Sequence, residues 1–439
     1  MLNRFVIALG LASLAWAQPP AYVALGDSLG EGVQSADASY RSQPFSYVNR
    51  IAAQLGVNFP LPLIKDGPLT TVFSVNGRTR IDPTVTTSDL AVGGADTTSI
   101  LNQVAGTPID DETDLVLSPR TGSQVQIAAS LQSPFMTCWI GSNDALGAVL
   151  AFNHLDASQL TPVPVFQANY HQIVQDLTGW KTQVIFANVP NVTDVGFLFN
   201  NDDLTLFLGQ NLGLPAGSYT TLVAMLLLKL GLANATLLQD PNWVLDASEV
   251  QTIANTVQQY NQIIAQEAAA VNMPVVDINS LLAYVRQNGV SFGKLTLTTR
   301  YQGGMFSLDG VHPSNIGYAI LANAFLKVAN SAFQLNAPLL TTQQLLSILA
   351  TDPFVDFNGD LIVRGRPLAG LLETLGPSLG ISGDLSDGIM QPGINASLGP
   401  KFMQAYFSAT GQNPNRAWTQ KDAVEALRHI FGLQKWAAN

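Results

Sequence analysis

Short apolar runs and amphipathic stretches alternate along most of the chain. The first run, Tyr22 to Leu25, breaks at once into Gly-Asp-Ser-Leu-Gly, which predicts a strand running into a turn. Pro44 to Gly56 places Phe45, Val48, Ile51, Ala52 and Leu55 on one side of a helix, with Gly56 as its stop. The segment SQVQIAASLQSPFMTCWIGSND reads as a helical piece followed by an apolar strand that ends at Gly141. FQANYHQIVQDLTGW has helical spacing, KTQVIFANVPNV reads as a strand leading into a Pro/Asn loop, and Ala247 to Asn272 forms one long helix. MPVVDI is a short buried strand, and SNIGYAILANAFLKVAN is a final helix. Strands alternating with helices imply a parallel sheet covered on both faces. Ligand sites in such sheets form beyond the carboxyl ends of the strands.

Two regions break this rhythm. Residues 197–246 are rich in Leu and Phe and show no clear strand. They read as a mostly helical insert, either thickening the core or forming an apolar cap over the site. From about Ala337 to Asn439 the composition shifts towards Gly, Pro and Ser, and ends in the helical pattern TQKDAVEALRHIFGLQKW between Trp418 and Trp436. This tail is either a small module or an extension packed on the main domain. The expected organisation is therefore residues 1–17 as a leader, 18–336 as the main α/β domain and 337–439 as an extension. No internal repeat is evident.

Composition narrows the classes of function. The chain has 439 residues, 47% hydrophobic and 12% charged, so a large core is available and wholesale disorder is disfavoured. Lys and Arg total 20 against 31 Asp and Glu, a formal net charge of -11. That balance repels phosphate backbones and argues against nucleic-acid binding. The N-terminus carries Arg4, an apolar run from Phe5 to Leu14, and Ala15-Trp16-Ala17 before Gln18. This is the pattern of a cleavable signal peptide, with cleavage expected after Ala17 and a secreted or periplasmic product. The single cysteine, Cys138, sits in an apolar run and reads as a buried structural residue.

Four segments carry the chemistry. Ser28 follows a strand within Gly-Asp-Ser-Leu-Gly, and a Gly pair, Gly93-Gly94, follows the apolar DLAV. Gly141 and Asn143 end another strand in WIGSND, and Asp309 stands three residues before His312 in SLDGVHPSNIGY. A serine hydroxyl is a weak nucleophile until a base takes its proton. A histidine with a reference pKa near 6.5 offers a neutral imidazole at pH 7, and an aspartate can fix its tautomer. The oxyanion formed on attack needs donors already in place. Backbone N–H groups at Ser28 and at a glycine, with the Asn143 amide, supply that type of donor.

These blocks, in this order, resemble the SGNH or GDSL hydrolase family. GDSL matches its serine block, GSND its Gly-x-Asn-Asp block and DGVHPS its Asp-x-x-His block. The resemblance implies Ser28 as nucleophile, His312 as base and Asp309 as the third triad member. It assigns the oxyanion hole to the Ser28 backbone, Gly94 and the Asn143 side chain, with Gly93 the alternative glycine. The implied fold is a flavodoxin-like three-layer α/β/α sandwich around a central parallel sheet. The likeness runs from about Ala21 to Ala332. It departs from the family at Asp89, where the glycine block often opens with Asn. The implied activity is hydrolysis of carboxylic esters without metal or organic cofactor. A lipid-like or other acyl ester is the expected partner, with transient contact to a lipid surface. Carbohydrate deacetylation on the same triad, or a non-catalytic binding role on the fold, are the alternatives.

Other signals are weaker. His154, His171 and His429 read as solvated or packed histidines, and Asp144 as a loop-stabilising partner. Asp356, Asn358 and Asp360 fall at the alternate positions of a calcium loop, but Leu361 and Pro367 stand where that loop needs Gly and Glu. An Asp/Asn/Gly turn is the expectation there.

Overall fold

The computed structural model describes residues 20–65, 78–150, 155–357, 363 and 393–430. The leader segment 1–17, His154, Asn358, Asp360 and Trp436 fall outside the described residues.

The central sheet is parallel, in the order β1 (Val23–Gly26), β2 (Phe135–Trp139), β3 (Gln183–Ala187), β7 (Val275–Val276). Between β3 and β7 in sequence lie β4 (Leu198–Phe199), β5 (Tyr219–Thr221) and β6 (Val244–Leu245); a later hairpin joins β8 (Val290–Phe292) to β9 (Leu295–Leu297). Residues 88–92 run along the outer side of β1 without forming a full strand. Ala24 N–H donates to the Ser88 carbonyl, Leu90 N–H to that of Ala24 and Val92 N–H to that of Gly26. Counting this segment second in the chain, the order is 2-1-3-4-5, the flavodoxin-like arrangement. Its topological switch point lies between β1 and β2, where a ligand crevice opens. Every residue of β2 is buried, as expected of a strand covered on both faces.

The helices are, in chain order, α1 (Ser28–Glu31), α2 (Tyr47–Leu55), α3 (Ser99–Asn102), α4 (Glu112–Leu117), α5 (Gln124–Leu131), α6 (Ser142–Leu150), α7 (Val163–Thr178) and α8 (Asn201–Leu208). They continue with α9 (Leu222–Lys229), α10 (Ala247–Ala270), α11 (Ile278–Asn288), α12 (Asn315–Phe333), α13 (Thr342–Thr351), α14 (Leu398–Ala409) and α15 (Gln420–Ile430). One layer packs α2 against α12, the other packs α5, α7 and α10 together, and both α10 and α12 reach β3 and β7. Local chemistry sets the ends. Ser46 caps α2 and Gly56 closes it at φ 66°, while Asp246 and Glu249 form a capping box that starts α10. By length and composition α12 could cross a membrane, but half of it is buried in the fold, as befits a core helix.

The insert 197–246 is mostly helical, as expected, with short strands that the sequence did not show. It folds α8 and α9 around a three-stranded antiparallel sheet, β4-β5-β6. Strands of two or three residues carry no readable alternation, so the sequence shows only their apolar content. The tail is packed on the main domain. Asn323 exchanges two hydrogen bonds with Leu340, and Asn330 two with Ala337. Asp352 accepts the Ile316 N–H at 2.7 Å, near the start of α12. Beyond the undescribed stretch, the Asn395 N–H donates to the Lys229 carbonyl, and α15 packs on α9.

Candidate active site

Ser28 opens α1 directly after β1. Asp27, the N-cap, accepts the Leu29 N–H at 2.9 Å and so turns the chain from strand into helix within one residue. Only 8% of Ser28 is exposed. The His312 loop reaches it from the far end of the chain, with His312 Nε2 2.8 Å from Ser28 Oγ. His312 Nδ1 lies 2.7 Å from Asp309 Oδ2. The two residues are on one tight turn, and Asp309 Oδ1 also accepts the backbone N–H of Val311 and of His312. The Ala36 N–H donates to Asp309 Oδ2 at 2.9 Å. Burial acts to raise the Asp309 pKa, but His312 and these hydrogen bonds outweigh it and hold the carboxyl below its usual range.

The turn itself is wedged in place. Gly310 has φ 72°, and a Cβ there would meet the Phe197 nitrogen at 2.7 Å. The insert buttresses this loop from behind. The Phe199 and Phe207 rings pack on Tyr301, whose hydroxyl donates to the Leu308 carbonyl at 3.1 Å. Asp203 pairs with Arg286 and Arg300.

The other predicted residues gather at the switch point. Asn143, near the start of α6, donates from Nδ2 to the Ala95 carbonyl at 2.7 Å, which ties its amide beside Gly94. Gly94 takes φ 75°, a conformation suited to glycine. The Gly93 N–H donates to Glu31 Oε2 at 2.6 Å. Asp144 accepts the Thr97 N–H and hydroxyl and stabilises the loop; burial pushes its pKa up to about 6. Asp89, in the departing position, is fully buried, with burial holding its carboxyl well above the usual range.

A largely apolar pocket, partly open to solvent, lies beside Ser28. Ser28, Ser142, Asn143 and Asp27 line its polar side, and Leu29, Trp139, Leu146, Val192, Val195, Leu282, Met305 and Phe306 are among its apolar walls. No residue of 197–246 lines it. The insert packs behind the histidine loop. Sequence reasoning missed the walls from 190–195, α11 and 305–306, which carry no motif. It also missed Glu31, although an acidic residue three positions after the serine, in an apolar stretch, was a visible signal.

The remaining candidates sit elsewhere. Cys138 is buried in β2, and burial pushes its thiol up. His171 pairs with Glu267, and His429 meets the Tyr406 hydroxyl. Among the described residues, three carboxylates converge at Asp110, Asp111 and Asp114. The Asp111–Asp114 capping box of α4 accounts for them. The calcium reading at 356–360 rests largely on residues outside those described.

The chain is similar in outline to several solved structures. One is an alpha/beta hydrolase enzyme from the metagenome of Lake Arreo, Spain, at 12% identity and TM-score 0.38, covering 72% of this chain and 97% of that one. An acetylxylan esterase from Geobacillus stearothermophilus matches at 15% identity and TM-score 0.36, covering 71% and 94%. An extracellular lipase from Streptomyces rimosus matches at 16% identity and TM-score 0.34, covering 71% and 98%. No curated protein matches the chain. The model of the GDSL-like lipase/acylhydrolase family matches residues 22–325, well over half of the chain and the span that holds all four sequence blocks. The chain thus belongs to the GDSL-like lipase/acylhydrolase family, a family of ester hydrolases.

Proposed function

We propose that the protein is an exported serine esterase that cleaves esters of apolar acyl groups through an acyl-enzyme on Ser28. The observation that carries this reading is the relay Ser28 Oγ, His312 Nε2, His312 Nδ1, Asp309 Oδ2, with steps of 2.8 and 2.7 Å, on the wall of a largely apolar cavity. His312 takes the Ser28 hydroxyl proton as the oxygen attacks the ester carbonyl. Asp309 accepts from Nδ1–H, keeps Nε2 free to act as base and stabilises the imidazolium. The carbonyl oxygen, now an oxyanion, is held by the N–H groups of Ser28 and Gly94 and by the Asn143 amide. His312 then gives its proton to the departing alkoxide. Water, deprotonated by the same imidazole, attacks the acyl-enzyme and releases the acid.

The cavity favours acyl chains over sugars. Its polar lining is confined to the nucleophile side, so a saccharide would leave most hydroxyls against hydrocarbon. Each buried methylene contributes about 0.8 kcal/mol, so two raise specificity roughly tenfold until the cavity is full. Export rests on the leader pattern at residues 1–17.

Release of p-nitrophenol from acetyl to palmitoyl esters tests the reading, with Ser28→Ala as control and a fluorophosphonate as active-site probe. The expected result is rising kcat/KM with chain length to a maximum, labelling at Ser28 alone and no turnover by Ser28→Ala. Turnover by Ser28→Ala would remove the covalent mechanism, and an acetyl optimum would remove the acyl-chain reading.

A further inference from the structure

Helix α1 carries a carboxyl at the opposite end from the nucleophile. Glu31 is fully buried, and its Oε2 accepts the Gly93 N–H at 2.6 Å. Its Oε1 meets no N–H or hydroxyl donor, and the Glu112 carboxyl is close enough to act on its charge. Arg78 Nη1 donates to both Glu112 oxygens, at 3.0 and 2.7 Å, and Nη2 donates to the Ala38 carbonyl at 3.0 Å. Burial first, and the Glu112 charge second, push the Glu31 carboxyl well above its usual range.

The need for this carboxyl follows from the sheet. The segment 88–92 is held along β1 rung by rung, and the last rung is Val92 N–H to the Gly26 carbonyl. Past Gly26 the chain leaves the sheet for α1, so Gly93 has no strand to pair with. Glu31 takes the place of the missing strand. On the other side, Asn143 fixes the Ala95 carbonyl. Gly94 thus sits between two anchors, one of them on the same short helix as Ser28.

We propose that Glu31 is a positioning residue for the oxyanion hole, locking the Gly93-Gly94 turn to the helix that carries Ser28. This rests on the ester-hydrolase reading above. Glu31 does not touch substrate; it sets where the glycine N–H stands relative to the serine N–H. A role confined to satisfying a buried N–H would affect folding and leave the transition state alone.

The test compares the full chain with Glu31→Gln, Glu31→Asp and Glu31→Leu on one p-nitrophenyl ester, with thermal melts and with the affinity of a trifluoromethyl ketone, whose serine adduct carries the oxyanion. In Glu31→Gln the amide oxygen accepts from Gly93 and the NH₂ donates to Glu112, so kcat stays within about threefold. Glu31→Asp is one methylene short and Glu31→Leu has no acceptor. Since one oxyanion donor is worth ~10²–10³ in rate, both lose about 10–100-fold in kcat with KM within about twofold. Ketone affinity falls by the same factor as kcat/KM. Wild-type kcat in Glu31→Asp, a Gln variant as impaired as the Asp variant, or ketone affinity unmoved while kcat falls would each overturn the proposal. If Glu31→Leu does not fold, the Asp and Gln variants decide. A wild-type protein inert on every ester would defeat the ester-hydrolase reading and this inference with it. An active wild type with an indifferent Asp variant defeats this inference alone.

Discussion

Gly30→Ala is the sharpest single perturbation of this site. Gly30 lies inside α1, between Ser28 and Glu31, and the helix passes close over residues 89–92. A Cβ on Gly30 would stand 2.5 Å from the Ala91 Cβ, while its next neighbours, the Tyr47 hydroxyl and the Ala91 Cα, are at 3.9 and 4.0 Å. Carbon atoms settle at about 3.5–4.0 Å, so helix and segment must part by roughly 1 Å or more. Segment 88–92 is held to β1 by hydrogen bonds of 2.8 and 3.1 Å from Leu90 and Val92, so the displacement falls on α1. Overpacking of this kind costs about 1–3 kcal/mol of stability. A shift of about 1 Å at the reacting group can cost ~10²-fold in rate. The expected outcome is a fall of about 10–100-fold in kcat on a p-nitrophenyl ester with little change in KM. The companion change Ala91→Gly removes the opposing methyl. The double variant should therefore recover most of kcat, with a coupling of about 1–3 kcal/mol in a double-mutant cycle. Wild-type kcat in Gly30→Ala, or no relief from Ala91→Gly, would refute the argument that this close approach sets the nucleophile.

Three further outcomes are expected. Asp309→Asn should lower kcat by ~10⁴-fold, because an amide NH₂ facing Nδ1 favours the wrong imidazole tautomer; steady-state kinetics near pH 8 would show it, and a loss under tenfold would contradict the relay. Burial pushes Asp27 up to about 7 in the folded protein, against an ordinary value of 3.8. The stability linked to its proton is full below pH 3.8, declines as pH rises and is gone above about 7. Asp27→Asn keeps the cap acceptor without that charge, so the difference in urea stability between variant and wild type should grow in favour of Asn from pH 4.5 to 7.5; an unchanging difference would remove the assignment. A chain ending at residue 336 loses the Asp352 contact to Ile316 and exposes the surface that covers Leu340 and Leu349. It should melt well below the full chain, and an equal melting temperature would show the tail to be an independent module.

What the sequence determined is what local chemistry sets. Apolar runs gave the strands, helical spacing with Ser, Asp and Gly at the ends gave the helices, and their alternation gave the layered sheet. β1 falls within one residue of the expected run, at Val23–Gly26. Asp309 and His312 were legible because three residues separate them on one turn, and Ser28 because it follows a strand directly. Residues far apart in sequence decided the rest. The cavity takes its walls from 190–195, Leu282, Met305 and Phe306, ordinary apolar residues whose common surface exists only once the elements pack. Glu112 and Arg78 look like surface charges in sequence, and nothing there links them to Glu31; only folding gathers the three in the interior. The insert shows the same division. Its apolar content announced burial, but burial has no direction in sequence; in the fold its Phe207 ring packs on Tyr301 behind the histidine loop, and its helix α9 meets α15 of the tail.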